Sequence, residues 1–300
     1  MKLSFRSAAL ATLFFALTTV LVTSCQKENS QNGTEDEQEQ EASRASGEAD
    51  AEAEVIFNGV FDDAMGVNDE VAMGGTGVFG RINSCPTVTI VRTTANAFPV
   101  TVTLDFGAAG CTGPDGHFRK GKVITTYTNR LLIPGAMATT RFEDFYVDSV
   151  KVQGIHKITN TSTPFTPPAP PVDRKFKVEV IEGKLTKPSG NFVEWNSVKF
   201  IAQWEGLGTI TPIDDIFKIE GNARGRVRRG AILVLWESNI IEPLFKRFTC
   251  RWITRGKVKT VRVAATPTSP WVAVLDFGNG TCDNQAILTI NGIPRQITLP

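Results

Sequence analysis

The stretch Lys175-Phe-Lys-Val-Glu-Val-Ile-Glu-Gly-Lys-Leu-Thr-Lys-Pro-Ser-Gly-Asn-Phe-Val-Glu-Trp-Asn-Ser-Val-Lys-Phe-Ile-Ala-Gln-Trp204 decides the fold class. Lys175, Lys177 and Glu179 alternate with Phe176, Val178 and Val180, the period of two expected of a half-buried strand. Lys187-Pro-Ser-Gly-Asn191 supplies turn chemistry, and the chain resumes as a second β-rich run from Phe192 to Trp204. Working outward, runs rich in β-branched residues recur over Thr87 to Thr93, Val100 to Leu104 and Lys122 to Thr128. Further strands are expected at about 216–223, 231–238, 247–254, 256–264, 271–276, 285–290 and 294–299. Thr163 to Asp173 holds five prolines and reads as an irregular loop. With no long amphipathic helix in view, the expected architecture is all-β and antiparallel, either a sandwich or an open barrel-like sheet.

An internal repeat divides this β-rich region, 81–300. Pro99-Val-Thr-Val-Thr-Leu-Asp-Phe-Gly-Ala-Ala-Gly-Cys111 aligns without a gap on Pro270-Trp-Val-Ala-Val-Leu-Asp-Phe-Gly-Asn-Gly-Thr-Cys282. Cys85 precedes the first copy and Cys250 the second. Two related halves are expected, about 82–165 and 172–300. Four cysteines besides Cys25 allow three pairings, and the repeat favours Cys85 with Cys111 and Cys250 with Cys282. Free thiols or a metal site are the alternatives, but the close C-x2-C spacing of zinc is missing. The Asp-Phe-Gly triplet lacks the other kinase motifs. Its expected role is structural, with Asp105 and Asp276 capping the turns that follow.

The near-neutral total charge of +1 hides an asymmetry. Residues 26–54 carry ten acidic side chains against two basic ones, while 55–300 carry 28 basic against 21 acidic, a net of +7. Residues 26–54 also lack every aromatic residue and all of Val, Ile, Leu and Met. Such a segment is expected to stay disordered, because it has little apolar area to bury against its ordering entropy. Residues 1–24 read as an export signal, with Lys2 and Arg6 ahead of the apolar stretch Ala8 to Val22. That stretch ends in Leu-Val-Thr-Ser-Cys25, which resembles the lipobox of bacterial lipoproteins. The resemblance implies cleavage before Cys25 and its acylation, and Gln26 after it implies the outer membrane. Gln26-Lys-Glu-Asn29 with the acidic run resembles a Bacteroidota surface-export signal, so the chain is expected surface-exposed or facing the periplasm. The domain reading is therefore signal peptide, lipidated Cys25 with an acidic tether to residue 54, a helical or irregular lead-in over 55–80, and the β-rich body. Phe57, Val60, Phe61, Ala64 and Met65 recur at helical spacing, which predicts a short helix over 55–66 capped by Gly66. Asp62, Asp63, Asn68, Asp69 and Glu70 lack the alternation of a calcium loop and read as a solvated acidic face.

Candidate chemistry is sparse. Arg224, Arg226 and Arg228 alternate along one run, and Arg251, Arg255, Lys257 and Lys259 along another, with Trp252 and Val258 opposite. Such rows either protect a strand edge or form a groove for an anionic glycan or lipid headgroup. Asp105 and Asp276, being repeat-related, are weak candidates for a glycosidase-like carboxylate pair. Asp214-Asp215 and Glu194-Trp195 place carboxylates beside apolar or aromatic groups, while Trp195 and Trp204 read as core residues in strands. His117 falls in a turn and His156 in a strand-like run, and no G-x-S-x-G accompanies them. Two histidines exclude a His-rich metal site; no metal or cofactor is expected. The stretches Cys111 to Lys122, Trp195-Asn-Ser197, Cys250-Arg-Trp252 and Asp276 to Asn284 resemble a group of Bacteroidota outer-membrane lipoproteins of unknown function. That resemblance implies no site residues. The expectation is a membrane-anchored envelope lipoprotein with a binding or structural role and no nucleic-acid partner. An alternative is a carbohydrate-active hydrolase, and an enzyme is the less favoured of the two.

Overall fold

The amino-terminal segment read as a tether is a helix instead. In a computed structural model of the chain, described over residues 28–67, 71–72, 85–94, 98–113, 116–166, 171–209, 214–263 and 272–300, α1 runs from Glu28 to Gly66. Ala, Glu, Gln and Arg are good helix formers, so the local preference was present. What the sequence does not display is an apolar face. The structure explains why none is needed: from Ala42 to Val67 no residue is exposed. Ala42, Ala45, Ala49, Ala51 and Ala53 are buried in the first part of this stretch, and Val55, Phe57, Val60, Phe61 and Met65 in the second. Buried positions face every direction around the axis, so the helix is surrounded. The segment read as a signal peptide, 1–24, and Cys25 lie outside the described residues.

The surround is one antiparallel meander. Its strands are β1 (Thr87–Arg92), β2 (Val100–Asp105), β3 (Cys111–Thr112), β4 (Phe118–Tyr127), β5 (Met137–Val147), β6 (Val150–Asn160), β7 (Lys175–Thr186), β8 (Phe192–Glu205), β9 (Ile216–Arg229), β10 (Ile232–Arg247), β11 (Arg255–Arg262), β12 (Val272–Asn279), β13 (Gln285–Ile290) and β14 (Ile293–Thr298). Each pairs with the next, except that β2 pairs with β4 and the two-residue β3 adds to β4. The all-β, antiparallel expectation therefore holds, in the form of a single sheet that coils on itself. With strands about 4.8 Å apart, its width is on the order of 60 Å, enough to wrap a helix about 10–12 Å across. Both halves and the helix from Glu41 onward form one compact unit, 41–300. The boundary expected at residue 54 thus does not separate tether from body.

Bulges supply the curvature. Register shifts fall between Lys120 and Lys122 in β4, Arg141 and Tyr146 in β5, Gln153 and Ile155 in β6, and Val180 and Gly183 in β7. Gly121 has φ of 84°, and a Cβ there would overlap the Asp144 carbonyl oxygen, so only glycine allows the strands to approach. Strand β5 is absent from the sequence reading, and β6 appears there only as the strand-like run around His156. The run expected as a strand at 247–254 is instead mostly the connection from β10 to β11.

The repeat has a direct structural meaning. Hairpins β1–β2 and β11–β12 are its two copies, one near each end of the sheet. Cys85 bridges Cys111 with Cα atoms 6.0 Å apart, and Cys250 bridges Cys282 at 5.8 Å. Each bridge ties the approach to a hairpin to the segment after it. Replacing Cys250 and Cys282 by serine is expected to cost about 3–4 kcal/mol, from the loop-closure entropy returned to the unfolded chain. Urea unfolding with and without a reductant measures it.

Candidate functional site

Helix and sheet meet through charge as much as through apolar packing. Asp50 is buried, and its Oδ1 accepts hydrogen bonds from Trp195 Nε1 at 2.8 Å, Ser238 Oγ at 2.9 Å and Trp236 Nε1 at 3.3 Å. Lys199 Nζ lies 2.7 Å from Glu54 Oε2, both side chains being about 5% exposed or less. Lys246 pairs with Asp62 in similar burial. Nearer the surface Arg229 meets Glu48 at 2.7 Å and Lys187 meets Glu52 at 3.0 Å. Strong desolvation would make any of these charges costly alone, so each of these acids on the helix has a donor or cation on the wall. Burial pushes the Asp50 carboxyl above its ordinary range, against the attraction of Lys199. Phe57 completes the seam by stacking on Trp195, with centroids 5.5 Å apart. Gly225 makes room for the neighbouring Trp236: a Cβ there would overlap the indole ring that covers this position.

Part of the sequence's charge asymmetry is thus neutralised inside the molecule. Ten acids between residues 26 and 54 met a basic body in the sequence, and Glu48, Glu52 and Glu54 pair with cations of that body. Sequence reasoning missed this network. The signal lay in the inward positions of strands, where Lys199 and Lys246 break the apolar alternation. Asp62, expected on a solvated acidic face, is likewise buried and paired.

The basic rows keep to the other face. Arg224, Arg226 and Arg228 are exposed on β9, on the face opposite buried Ala223 and Val227. In the register, Arg224 stands between Asn196 of β8 and Glu237 of β10. Arg226 lies between Glu194 and Leu235, and its guanidinium is 2.7 Å from Glu194. Arg228 lies between Phe192 and Leu233. On β11, Arg255 and Lys259 are exposed, and Lys257 contacts Glu242 at 2.8 Å and Asp276 at 3.7 Å. Arg251 belongs to the connection before β11, so it does not extend that row; its guanidinium lies over the Trp252 ring. Among the described residues Arg224, Arg228 and Lys259 form no ion pair. A groove of about 530 Å³ crosses this face, with Asn196, Asn222, Asn239, Arg224, Glu179 and Glu237 in its lining.

The remaining candidates resolve into structural roles. Asp105 Oδ1 accepts from the Gly107 N–H and Asp276 Oδ1 from the Gly278 N–H, both at 2.9 Å, so the turn-capping expectation holds in both copies. The two carboxylates alternate with buried Leu104 and Leu275, which places both on the outer face, with β4 to β11 between their strands. The structure brings each beside a lysine, Lys122 or Lys257, and not beside the other. Glu194 points outward and Trp195 inward, so that dipeptide forms no joint site. Trp204, expected in the core, is 60% exposed and packs edge-on against Phe245. His117 engages Asp148, which also accepts from the Phe118 N–H, and so ties two turns together. His156 is buried in the wall, and desolvation lowers its pKa to about 3, which keeps it neutral. No group of metal-ligating side chains occurs among the described residues.

Asp215 is a perturbed carboxyl outside the helix seam. Burial pushes its pKa up to about 6, opposed by Arg174, while Gln203 Nε2 donates to it at 2.6 Å. A raised carboxyl favours the folded state most when protonated, so its contribution is full below 3.8 and is lost as pH rises through about 6. Asp215→Asn is therefore expected to gain stability relative to the parent over that window and to hold a constant difference above it, read from unfolding midpoints at several pH values.

Family models, curated proteins and solved structures were compared with the chain, and none matches.

Proposed function

We propose that the chain is an exported, lipid-anchored envelope protein with a non-enzymatic binding role, and that its ligand is an anionic envelope component. Arg224, Arg228 and Lys259 carry this reading. They project from the outer face without a carboxylate partner among the described residues, whereas Lys199, Lys246 and Arg229 are neutralised by α1. Guanidinium groups on a rigid strand offer bidentate donors to phosphate, sulfate or carboxylate. The amides of Asn196, Asn222 and Asn239 beside them add donors and acceptors suited to a hydroxylated headgroup or glycan.

The combined reversal Arg224→Glu, Arg228→Glu and Lys259→Glu is expected to reduce binding to anionic envelope lipid or glycan by at least about tenfold, since each exposed cation near such a surface contributes on the order of 1 kcal/mol. Binding unchanged toward every anionic fraction would remove the reading. The anchor has its own test: Cys25→Ala is expected to block acylation and processing, so that the unprocessed precursor accumulates. Retention of processed, acylated protein would refute it.

A further inference from the structure

We infer that the rim of the sheet around Leu233 and Leu235 rests on an anionic lipid surface. This deepens the anionic-ligand reading above and rests on it, naming membrane headgroups as the component and one end of the outer face as the contact.

Three observations converge on that rim. The first is its composition. Leu233 and Leu235 are 52% and 50% exposed at successive outward positions of β10. Val263, 51% exposed, is joined to the same place by its N–H, which donates to the Leu235 carbonyl at 2.8 Å. Contiguous exposed aliphatic side chains mark a contact surface rather than ordinary solvent-facing sheet.

The second is charge. Arg228 stands directly across from Leu233, and Arg226 across from Leu235. Phe192, next along the Arg228 row, lies under two cations, with Lys184 Nζ 5.0 Å and the Arg226 guanidinium 5.6 Å from its ring. Glu194 is the carboxylate within this group, and it is shared by Lys184 at 3.5 Å and Arg226 at 2.7 Å, so the rim keeps a net positive charge. Aliphatic and aromatic tips bordered by Arg and Lys suit the boundary between headgroups and acyl chains.

The third is position. The helix within the sheet has its earlier residues at this end: Glu48 reaches Arg229 and Glu52 reaches Lys187, beside the β7–β8 and β9–β10 turns. Asp62 reaches Lys246, at the opposite end of β10. The chain therefore joins the body at the rim that carries the patch. The helix is enclosed from Ala42 onward and is continuous from Glu28, so an anchor at Cys25 would hold the body through a helical stem and not a free tether to residue 54. The helical residues 28–41 span about 20 Å, against about 100 Å for an extended tether to residue 54. A body anchored through so short a stem meets the bilayer often, and a polar rim would gain nothing from it.

The test uses the mature chain from residue 25 with Cys25→Ser, so that no acyl group contributes, in co-sedimentation with phosphatidylcholine vesicles and with mixed phosphatidylcholine–phosphatidylglycerol vesicles. The expected result is binding to the mixed vesicles, at least about tenfold weaker to the neutral ones, and weakened by added salt. Arg228→Glu with Leu233→Gln and Leu235→Gln is expected to abolish it, while Ile155→Gln, an exposed apolar residue elsewhere on the outer face, leaves it intact. All four positions are exposed, and a thermal melt confirms that the variants fold. Equal binding by the rim variant, or no preference for anionic vesicles, overturns the inference. Binding to a soluble acidic polysaccharide without vesicle binding also overturns it, while leaving the broader anionic reading in place.

Discussion

Lys199→Ala is expected to lower the unfolding free energy by about 3–5 kcal/mol, although the lysine touches no ligand and lies on a sheet that keeps all its backbone pairs. The cause is what remains behind. Glu54 is 3% exposed and lies in the same enclosed seam as Asp50, so removing the ammonium strands one carboxylate near another. The double change Lys199→Met with Glu54→Leu removes both charges and keeps comparable volume. It is expected to recover most of the loss, because a buried pair replaced by apolar groups is often neutral in stability. Urea unfolding of the two singles and the double forms a complete cycle. A double variant no more stable than the lysine single variant would show that the pair itself, rather than the stranded charge, stabilises the fold.

Asp50→Ala should be comparably damaging, at about 3–5 kcal/mol, for a different reason. One carboxylate oxygen satisfies two indole N–H groups and a hydroxyl, and each donor left without a partner costs on the order of 1–3 kcal/mol. Asp50→Asn retains an oxygen acceptor at that point and is expected to stay within about 1–2 kcal/mol of the parent. The pH dependence separates the two effects. Since burial raises the Asp50 carboxyl, the folded state holds its proton more tightly than the unfolded chain. The parent thus loses stability as pH rises from the ordinary carboxyl range through the raised value, and the asparagine variant does not. The difference between them should therefore shift toward the asparagine variant with rising pH. Alanine and asparagine variants of equal stability would exclude the hydrogen-bonded role.

The legible part of this molecule was its local pattern. Alternation from Lys175 to Trp204 predicted β7, the turn and β8 within a residue or two. The Leu-Asp-Phe-Gly-x3-Cys repeat predicted both bridges, because equivalent sequence in two copies places equivalent cysteines. It also predicted the caps of Asp105 and Asp276, which depend on the next two residues alone. Strand β5 was missed, and β6 was legible only as a strand-like run at His156, where bulges interrupt the period: the ladder breaks between Arg141 and Tyr146 and between Gln153 and Ile155, so alternation counted along the chain loses phase. Trp204 was misplaced because a large aromatic in a strand was read as core by residue type, while nine positions after the inward Trp195 it falls on the outward parity of β8.

The amino-terminal segment marks the limit of such reading. Its alanines and acids carry no apolar stripe, and a stripe is needed only by a helix that faces a core on one side. This helix has a wall on all sides, so small side chains allow the strands to approach, and its charges are answered by Trp195, Trp236, Ser238, Lys199 and Lys246 from strands more than a hundred residues away. By itself the sequence determined most of the strands, the bridges and the excess of acid before base. Only the tertiary structure decided that part of that acid is partnered by the sheet, Asp50 and Glu54 in full burial, because the free energy of a charge depends on what surrounds it, and those surroundings are assembled from residues that no local pattern connects.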